Sequence, residues 1–197
     1  ADDTLPTPQT SYGIQKHICE HLIADYTRKG YIDGRSARLM TVTVRPGKPN
    51  GAASSFFSGI IREPLAGIPS VCPVSPDVLH PMASPRSTIA SLIKVYECTR
   101  EAYGGRTALN LPGLDVTVQE MLDALERVAG PNVRALVTFQ RDERIAGIVS
   151  RWAKGSSSKR ANSLGLFPEK SFDDIIRQYI ADCQAGPHAA TALKGMQ

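Results

Sequence analysis

The sequence of 197 residues has no apolar run approaching the roughly 20 residues that a membrane-spanning helix requires. It has no C-x-x-C pair. Its four cysteines, Cys19, Cys72, Cys98 and Cys183, stand far apart, which argues for reduced, mostly buried thiols of a cytosolic protein. It has one tryptophan, and its lysines and arginines form no stripe interleaved with aromatics. The densest basic cluster is Lys154, Lys159 and Arg160 in a serine-rich loop. A net charge of +4 spread among acidic residues describes a mixed surface rather than a nucleic-acid-binding face. No G-x-G-x-x-G turn follows any strand, so nothing in the sequence cradles a pyrophosphate. The one adjacent glycine pair, Gly104 and Gly105, comes after a helix and before a strand. No secretory leader is visible, and the polar opening ADDTLPTPQT, starting on Ala1, reads as a processed or cut start.

What is present is an alternation of helices and strands, which argues for an α/β class. Ile14, Ile18, Leu22 and Tyr26 recur once per turn and predict a helix over 10–29, ended by Gly30. The run ARLMTVTV, 37–44, predicts one strand covered on both faces, as in a parallel sheet. A helix over 54–65 carries Phe57, Ile60, Ile61 and Leu65, and VCPV, 71–74, reads as a short strand. Ser87 or Thr88 is placed to cap a helix bearing Ile89, Leu92, Ile93 and Tyr96. TALNL, 107–111, reads as a strand. Thr117 and Glu120 form a T-x-x-E capping box before Met121, Leu122, Leu125 and Val128. VRALVTF, 133–139, is strand-like, and a short helix follows over 142–149. SSSKRANSLG is a loop entering a helix. A last helix over 171–183 buries Phe172, Ile175, Ile176, Tyr179 and Ile180, and the tail GPHAATALKGMQ reads as loose.

The first helix offers two chemistries. His17, Glu20 and His21 spell H-x-x-E-H, the spacing of an inverted metalloprotease motif, with both imidazoles on one face. That reading needs a third ligand and a second shell, and no downstream residue has a distinctive spacing for either. Two surface histidines beside a glutamate explain the pattern as well. Tyr12 and Lys16 stand one turn apart on another face. A free phenol is too weak an acid to act as a base near neutrality. An ammonium one turn away favours the phenolate, which can take a proton from an alcohol while a hydride leaves. A boundary tyrosine packed by a lysine stem is the plainer reading of that pair.

The context of the pair decides between them. SYGIQK, 11–16, followed by a helix, the strand ARLMTVTV and the loop RPGKPN, resembles the Y-x-x-x-K region of the extended short-chain dehydrogenase/reductases, the NAD-dependent epimerase/dehydratase group. RANSLG, 160–165, and the helix FDDIIRQYI resemble later elements of that group. VRPGKPNGAASSFFSGIIREPLAG, 44–67, with SPRSTI, 84–89, and LNLPGLDVTVQEML, 109–122, is similar to its D-erythronate dehydrogenase-like branch.

The resemblance implies a fold and a set of roles. The expected fold is the C-terminal portion of a Rossmann-type doubly wound fold plus a small mixed α/β substrate domain, without the glycine-rich N-terminal half. Residues 1–50 would end the dinucleotide-binding domain. Residues 51–185 would be mainly substrate-binding, with about 84–112 returning to the Rossmann sheet, and 186–197 would be a flexible tail. Tyr12 is implied as the acid/base, Lys16 as its helper and a ligand of the nicotinamide ribose, and Pro46 as a backbone contact to the cofactor, NAD. Asn50, Ser54 and Ser55 are implied as substrate contacts. A sugar-acid substrate needs a cation for its carboxylate, and Arg86 is the first candidate because a guanidinium can hold a carboxylate with two hydrogen bonds. Arg62 and Lys48 are weaker candidates. No metal is expected. The expected activity is oxidation of the 2-hydroxyl of a small aldonate, with a sugar-nucleotide epimerase or dehydratase, or a non-catalytic binding remnant, as alternatives. The expected setting is cytoplasmic, with no nucleic acid or membrane as partner. A homodimer or a partner would cover the exposed sheet edge, and the chain alone would be inactive.

Overall fold

The computed structural model describes residues 1–48 and 50–197; Pro49 of the RPGKPN loop lies outside the described residues. In chain order the helices are α1 (Ser11–Arg28), α2 (Ser55–Leu65), α3 (Pro85–Glu97), α4 (Arg100–Tyr103), α5 (Val118–Ala129), α6 (Pro131–Arg134), α7 (Glu143–Val149), α8 (Lys159–Ser163), α9 (Phe172–Ala185) and α10 (Ala189–Ala192). The strands are β1 (Ala37–Arg38), β2 (Thr41–Val42), β3 (Ser70–Cys72), β4 (Leu79–Ala83), β5 (Leu109–Asn110), β6 (Leu114–Thr117) and β7 (Val137–Phe139). They fall into two compact units. Residues Ala1–Met40, Thr88–Pro112 and Ser156–Phe167 form the first; Thr41–Ser87, Gly113–Gly155 and Pro168–Gln197 form the second.

In the first unit, β1 and β5 pair in parallel, Ala37 opposite Leu109 and Arg38 opposite Asn110. Val95, Tyr103, Leu109, Leu111, Ala161, Leu164 and Leu166 make its core. The Tyr103 hydroxyl, buried with its ring, donates to the Ser36 carbonyl at 2.9 Å and accepts from the Ser36 N–H at 3.2 Å. Arg160, the arginine of RANSLG, lies over the Tyr103 ring at 5.1 Å and donates to the Tyr103 carbonyl at 3.0 Å. Ser158 caps α8, and Asp2 accepts from the Ser158 hydroxyl and the Arg160 N–H, each at 3.0 Å, which ties the amino-terminal segment down.

Helix α1 starts as its sequence requires: the Thr10 hydroxyl accepts from the Gly13 N–H at 3.1 Å, and Gly30 at φ +77 ends the run, a conformation that costs glycine little. Its stripe of Ile14, Ile18, Leu22 and Tyr26 is exposed, and no residue of α1 is fully buried. The apolar stripe of α3 is exposed as well. The helix begins at Pro85, earlier than the expected caps Ser87 or Thr88. The Ser84 hydroxyl accepts from the Ser87 N–H at 3.0 Å, and proline suits a first position whose N–H would lack a partner. Its buried residues are Thr88, Ser91 and Val95, while Ile89, Leu92, Ile93 and Tyr96 are exposed, Tyr96 to 81%. Periodicity located both helices; it did not say which face meets the core.

The run 37–44 is not one strand. Its first part bonds to β5 in one unit: the Ser36 and Arg38 carbonyls accept from Leu109 and Leu111. Its second part, β2, pairs in parallel with β4 in the other unit, Thr41 opposite Met82 and Val42 opposite Ala83. Two partners divide one apolar stretch, and Leu39 between them is exposed. Strand β4 is antiparallel to β6, and β3 pairs in parallel with β7.

The core of the second unit is built by α2, α5 and α9. Phe57, Ile60, Ile61 and Leu65 of α2 are fully buried with Met121, Leu122 and Leu125 of α5 and Ile175 and Ile176 of α9. Each such side chain contributes roughly 1.5–3 kcal/mol by leaving water. The capping box of α5 is complete: the Thr117 hydroxyl accepts from the Glu120 N–H at 3.1 Å, and the Glu120 carboxylate accepts from the Thr117 N–H at 2.7 Å. Those bonds hold the Glu120 carboxyl below its ordinary range.

Three further expectations give way here. Within 133–139, Val133 and Arg134 end a helix and the next two residues turn, because Gly130 at φ +90 turns the chain and Pro131 opens α6; only Val137–Phe139 is strand. The tail expected to be loose folds as α10 and a terminal 3-10 turn, and Leu193 is buried in the core. Nor are the thiols mostly buried: Cys72 is buried, Cys98 and Cys183 are half-buried and Cys19 is exposed.

His80 sits inside this core, 7% exposed, stacked on Phe57 at 5.4 Å and beside Trp152 at 5.3 Å. Its Nδ1 is 3.1 Å from the Ala153 carbonyl, which can only accept, so Nδ1 carries the proton; Nε2, 2.7 Å from Oγ1, accepts from the Thr41 hydroxyl. Burial pushes its pKa below the ordinary imidazole value against the smaller opposing pull of that carbonyl.

Two predictions follow from this packing. A histidine with a lowered folded pKa binds fewer protons folded than unfolded, so its contribution is present above about pH 6.5 and lost as the pH falls below it. The Tm is expected to drop between pH 7.5 and pH 5.5, and His80→Gln is expected to flatten that slope; an equal slope in the variant would remove His80 as its source. A methyl group on Gly195 would collide with the Pro64 carbonyl oxygen and lie 2.7 Å from the Gly67 nitrogen. Gly195→Ala is expected to cost about 1–3 kcal/mol in thermal unfolding; an unchanged Tm would mean that the tail does not pack there.

Candidate functional site

The H-x-x-E-H residues of α1 are organised around an ion pair. Arg38 of β1 donates to both oxygens of Glu20, from Nε at 2.7 Å and from Nη2 at 2.6 Å. His17 Nδ1 is 3.2 Å from the same carboxylate, and His17 Nε2 is 3.1 Å from His21 Nε2. The Arg38 hydrogen bond, and after it that of His17, holds the Glu20 carboxyl below its ordinary range. Glu20 is thereby committed to binding the helix to the strand. Among the described residues no group of three or more histidine, cysteine or acidic side chains is placed to hold a metal.

On the same helix, Lys16 Nζ lies 5.4 Å from the centroid of the Tyr12 ring. Tyr12 is 71% exposed, so its phenol is open to a ligand, and Lys16 borders a hollow with Gly13, His17, Glu20 and Arg38. Both residues belong to the first unit.

The other candidates belong to the second unit and divide between two concavities. Pro46 and Arg86 line a cavity of about 370 Å³ together with Ser84, Gln178, Tyr179 and Asp182. Asn50 and Ser55 line a broad groove of about 860 Å³ together with Glu63, Ser70, Arg141 and Arg144. The Asn50 N–H donates to the Ser55 hydroxyl at 3.2 Å, and the Asn50 side-chain oxygen accepts from the Ala52 N–H at 3.0 Å, so the loop is shaped around these two residues. Ser54, half-buried at the start of α2, borders neither space. Arg62 is buried, donating to the Arg45 carbonyl at 2.8 Å and pairing with Glu63, so both its ends are engaged within the fold. Lys48 is exposed. Arg86 pairs with Asp182 of α9.

Asp182, Gln178 and Tyr179 are the residues at the Arg86 cavity that sequence reasoning passed over. The spacing of Tyr179 and Asp182 puts both near one helical face, but only the packed structure shows that this face meets the start of α3. Arg141 and Arg144, at the rim of the groove, come from a polar run that carried no pattern.

No protein-family model matches the chain. It is 50% identical over 181 residues to a D-erythronate dehydrogenase of Cupriavidus necator, covering 92% of this chain and 56% of that protein. It is 42% identical over 179 residues to a D-erythronate dehydrogenase of Haemophilus influenzae, covering 91% of this chain and 57% of that one. Among solved structures, a nucleoside-diphosphate-sugar epimerase from Agrobacterium tumefaciens superposes with a TM-score of 0.90 at 46% identity, over 94% of this chain and 54% of that chain. An L-threonine 3-dehydrogenase from Trypanosoma brucei superposes with a TM-score of 0.80 at 26% identity, over 92% of this chain and 56% of that chain. The chain thus spans about half the length of the relatives it matches. Over about half their length, the chain is thus similar in sequence to D-erythronate dehydrogenases and in sequence and fold to a nucleoside-diphosphate-sugar epimerase.

Proposed function

We propose that this chain is part of an NAD-dependent dehydrogenase that oxidises the 2-hydroxyl of a small sugar acid of the D-erythronate type. The observation that carries the reading is the Tyr12–Lys16 pair, with the Lys16 ammonium 5.4 Å from an exposed phenol ring, in a chain half identical to a dehydrogenase of that substrate. The pair performs one task. The phenol oxygen of Tyr12 takes the proton of the substrate hydroxyl as the C–H bond breaks, leaving a ketone, with the Lys16 ammonium 5.4 Å from the ring centroid. NAD, when bound, accepts the hydride. Tyr12 and Lys16 offer a hydroxyl and an ammonium to one end of such a cofactor. None of the residues fits the pyrophosphate, for which the sequence has no glycine-rich turn. Arg86, which lines the 370 Å³ cavity, holds the substrate carboxylate.

A second reading, an epimerase or dehydratase acting on a sugar nucleotide, is favoured by the likeness to the Agrobacterium tumefaciens protein and by the breadth of the groove at Asn50 and Ser55. Turnover of a sugar nucleotide in preference to an aldonate would select it. The exposed apolar residues of α1 and α3 support a further element of the proposal: a second chain, or the part of the relatives that this chain does not match, covers them.

The 197-residue chain alone is expected to form no NADH from D-erythronate. Joined to the unmatched part of the Cupriavidus necator relative it is expected to do so, and Tyr12→Phe is then expected to lower kcat by about a hundredfold or more. Full activity in Tyr12→Phe would sink the assignment. In sedimentation the isolated chain is expected to self-associate and to bind a hydrophobic dye; a clean monomer without dye binding would remove the covering partner.

A further inference from the structure

We propose that the first turn of α3 is a carboxylate site occupied from within by Asp182, and that the acid group of the substrate binds by taking the place of Asp182 on Arg86. The inference rests on the sugar-acid reading above and names what controls entry of that substrate.

The charge at this turn is unusual for a helix start. The unpaired N–H groups and the macrodipole make a helix N-terminus electropositive, and acidic side chains are the stabilising choice there. The first turn of α3 carries no acidic residue; it carries Arg86. Arg86 therefore adds its charge to the macrodipole, on a turn that is rigidly built. The Ser84 hydroxyl donates to the Gln178 side-chain oxygen at 2.9 Å and accepts from the Ser87 N–H at 3.0 Å, while the Ser84 N–H donates to Glu169 at 2.9 Å. Glu169 thus serves the residue before the helix and leaves Arg86 to another anion.

That anion is present: Asp182 Oδ1 lies 2.5 Å from Arg86 Nη2. Both side chains are more than half exposed, 58% and 57%. A pair so open to water contributes little, since solvent screens it and two long or mobile side chains must be held still. It is therefore readily exchanged for another carboxylate, and the guanidinium fork accepts two oxygens as easily as one. Space for the incoming molecule adjoins the pair, because Arg86 and Asp182 are both lining residues of the 370 Å³ cavity, with Gln178, Tyr179 and His188 supplying polar groups on a mostly apolar wall.

Asp182 then acts as a specificity residue. A carboxylic acid repays the contact it breaks, charge for charge. A neutral polyol of the same length offers nothing that Arg86 lacks already, so it is excluded without any steric barrier.

The test uses the whole 197-residue chain and NMR titration with D-erythronate, with erythritol as its neutral counterpart and with butyrate as an acid lacking hydroxyls. The wild type, Asp182→Asn and Arg86→Gln are compared, each checked for an unchanged melting curve. Asp182→Asn is expected to bind erythronate about two- to fivefold more tightly, the range that an exposed ion pair spans. Arg86→Gln is expected to weaken it about two- to fivefold, and erythritol is expected to be indifferent to both changes. Equal or weaker binding by Asp182→Asn, undiminished binding by Arg86→Gln, or no saturable erythronate binding in any form would each overturn the proposal. Butyrate separates this failure from failure of the dehydrogenase reading. Acid binding that follows the expected pattern for both erythronate and butyrate, alongside no oxidation of erythronate by the completed enzyme, would leave the carboxylate site standing and remove the activity.

Discussion

The contact between Glu20 and Arg38 fixes the helix on which the proposed chemistry depends. Two charge-assisted hydrogen bonds of 2.6 and 2.7 Å join the middle of α1 to β1, and β1 in turn pairs with β5 in the first unit's small parallel sheet. Because no residue of α1 is fully buried, apolar packing contributes little to its placement, and this pair carries a correspondingly larger share. It also answers what H-x-x-E-H does in this chain. Arg38 engages both oxygens of the motif's glutamate, His17 leans on the same carboxylate, and His21 leans on His17. Tyr12 and Lys16 project from the same helix with that anchor one to two turns away, so the element that offers the phenol is held by electrostatics rather than by a core.

Much of the fold was legible in the sequence where local rules and packing agree. The capping box at Thr117 and Glu120, the apolar faces of α2 and α9, and the Gly30 stop of α1 were readable, because each follows from a pattern within a few residues. The faces of α1 and α3 were not. Their periodicity is that of any amphipathic helix, and it does not say which face meets the core. The run 37–44 failed for a different reason: composition gives the preference for extended structure but not the number of strands that will claim it. Residues 133–139 were misread because the β-branched residues outweighed the Gly130–Pro131 signal, and the tail because its small residues pack by fit, Gly195 against the Pro64 carbonyl, rather than by hydrophobicity.

The candidate residues show the same division. The Tyr12–Lys16 spacing was visible because it lies within one helix. Arg86 was visible as a cation of the right kind, but its partner Asp182 lies 96 positions away in sequence and could only be met in the folded chain. Asn50 and Ser55 come to one groove and Pro46 and Arg86 to another cavity, so a single loop, 45–55, serves two separate concavities of the second unit.

The way the backbone is threaded has a consequence of its own. The two compact units take alternate stretches of the chain, three apiece, and neither is a continuous segment. A break anywhere from residue 41 to residue 167 would leave both units incomplete on each side of the cut. Shuffling a piece of this polypeptide into another protein as an autonomous module is therefore barred by its connectivity: what can be inherited or transplanted is the interleaved whole.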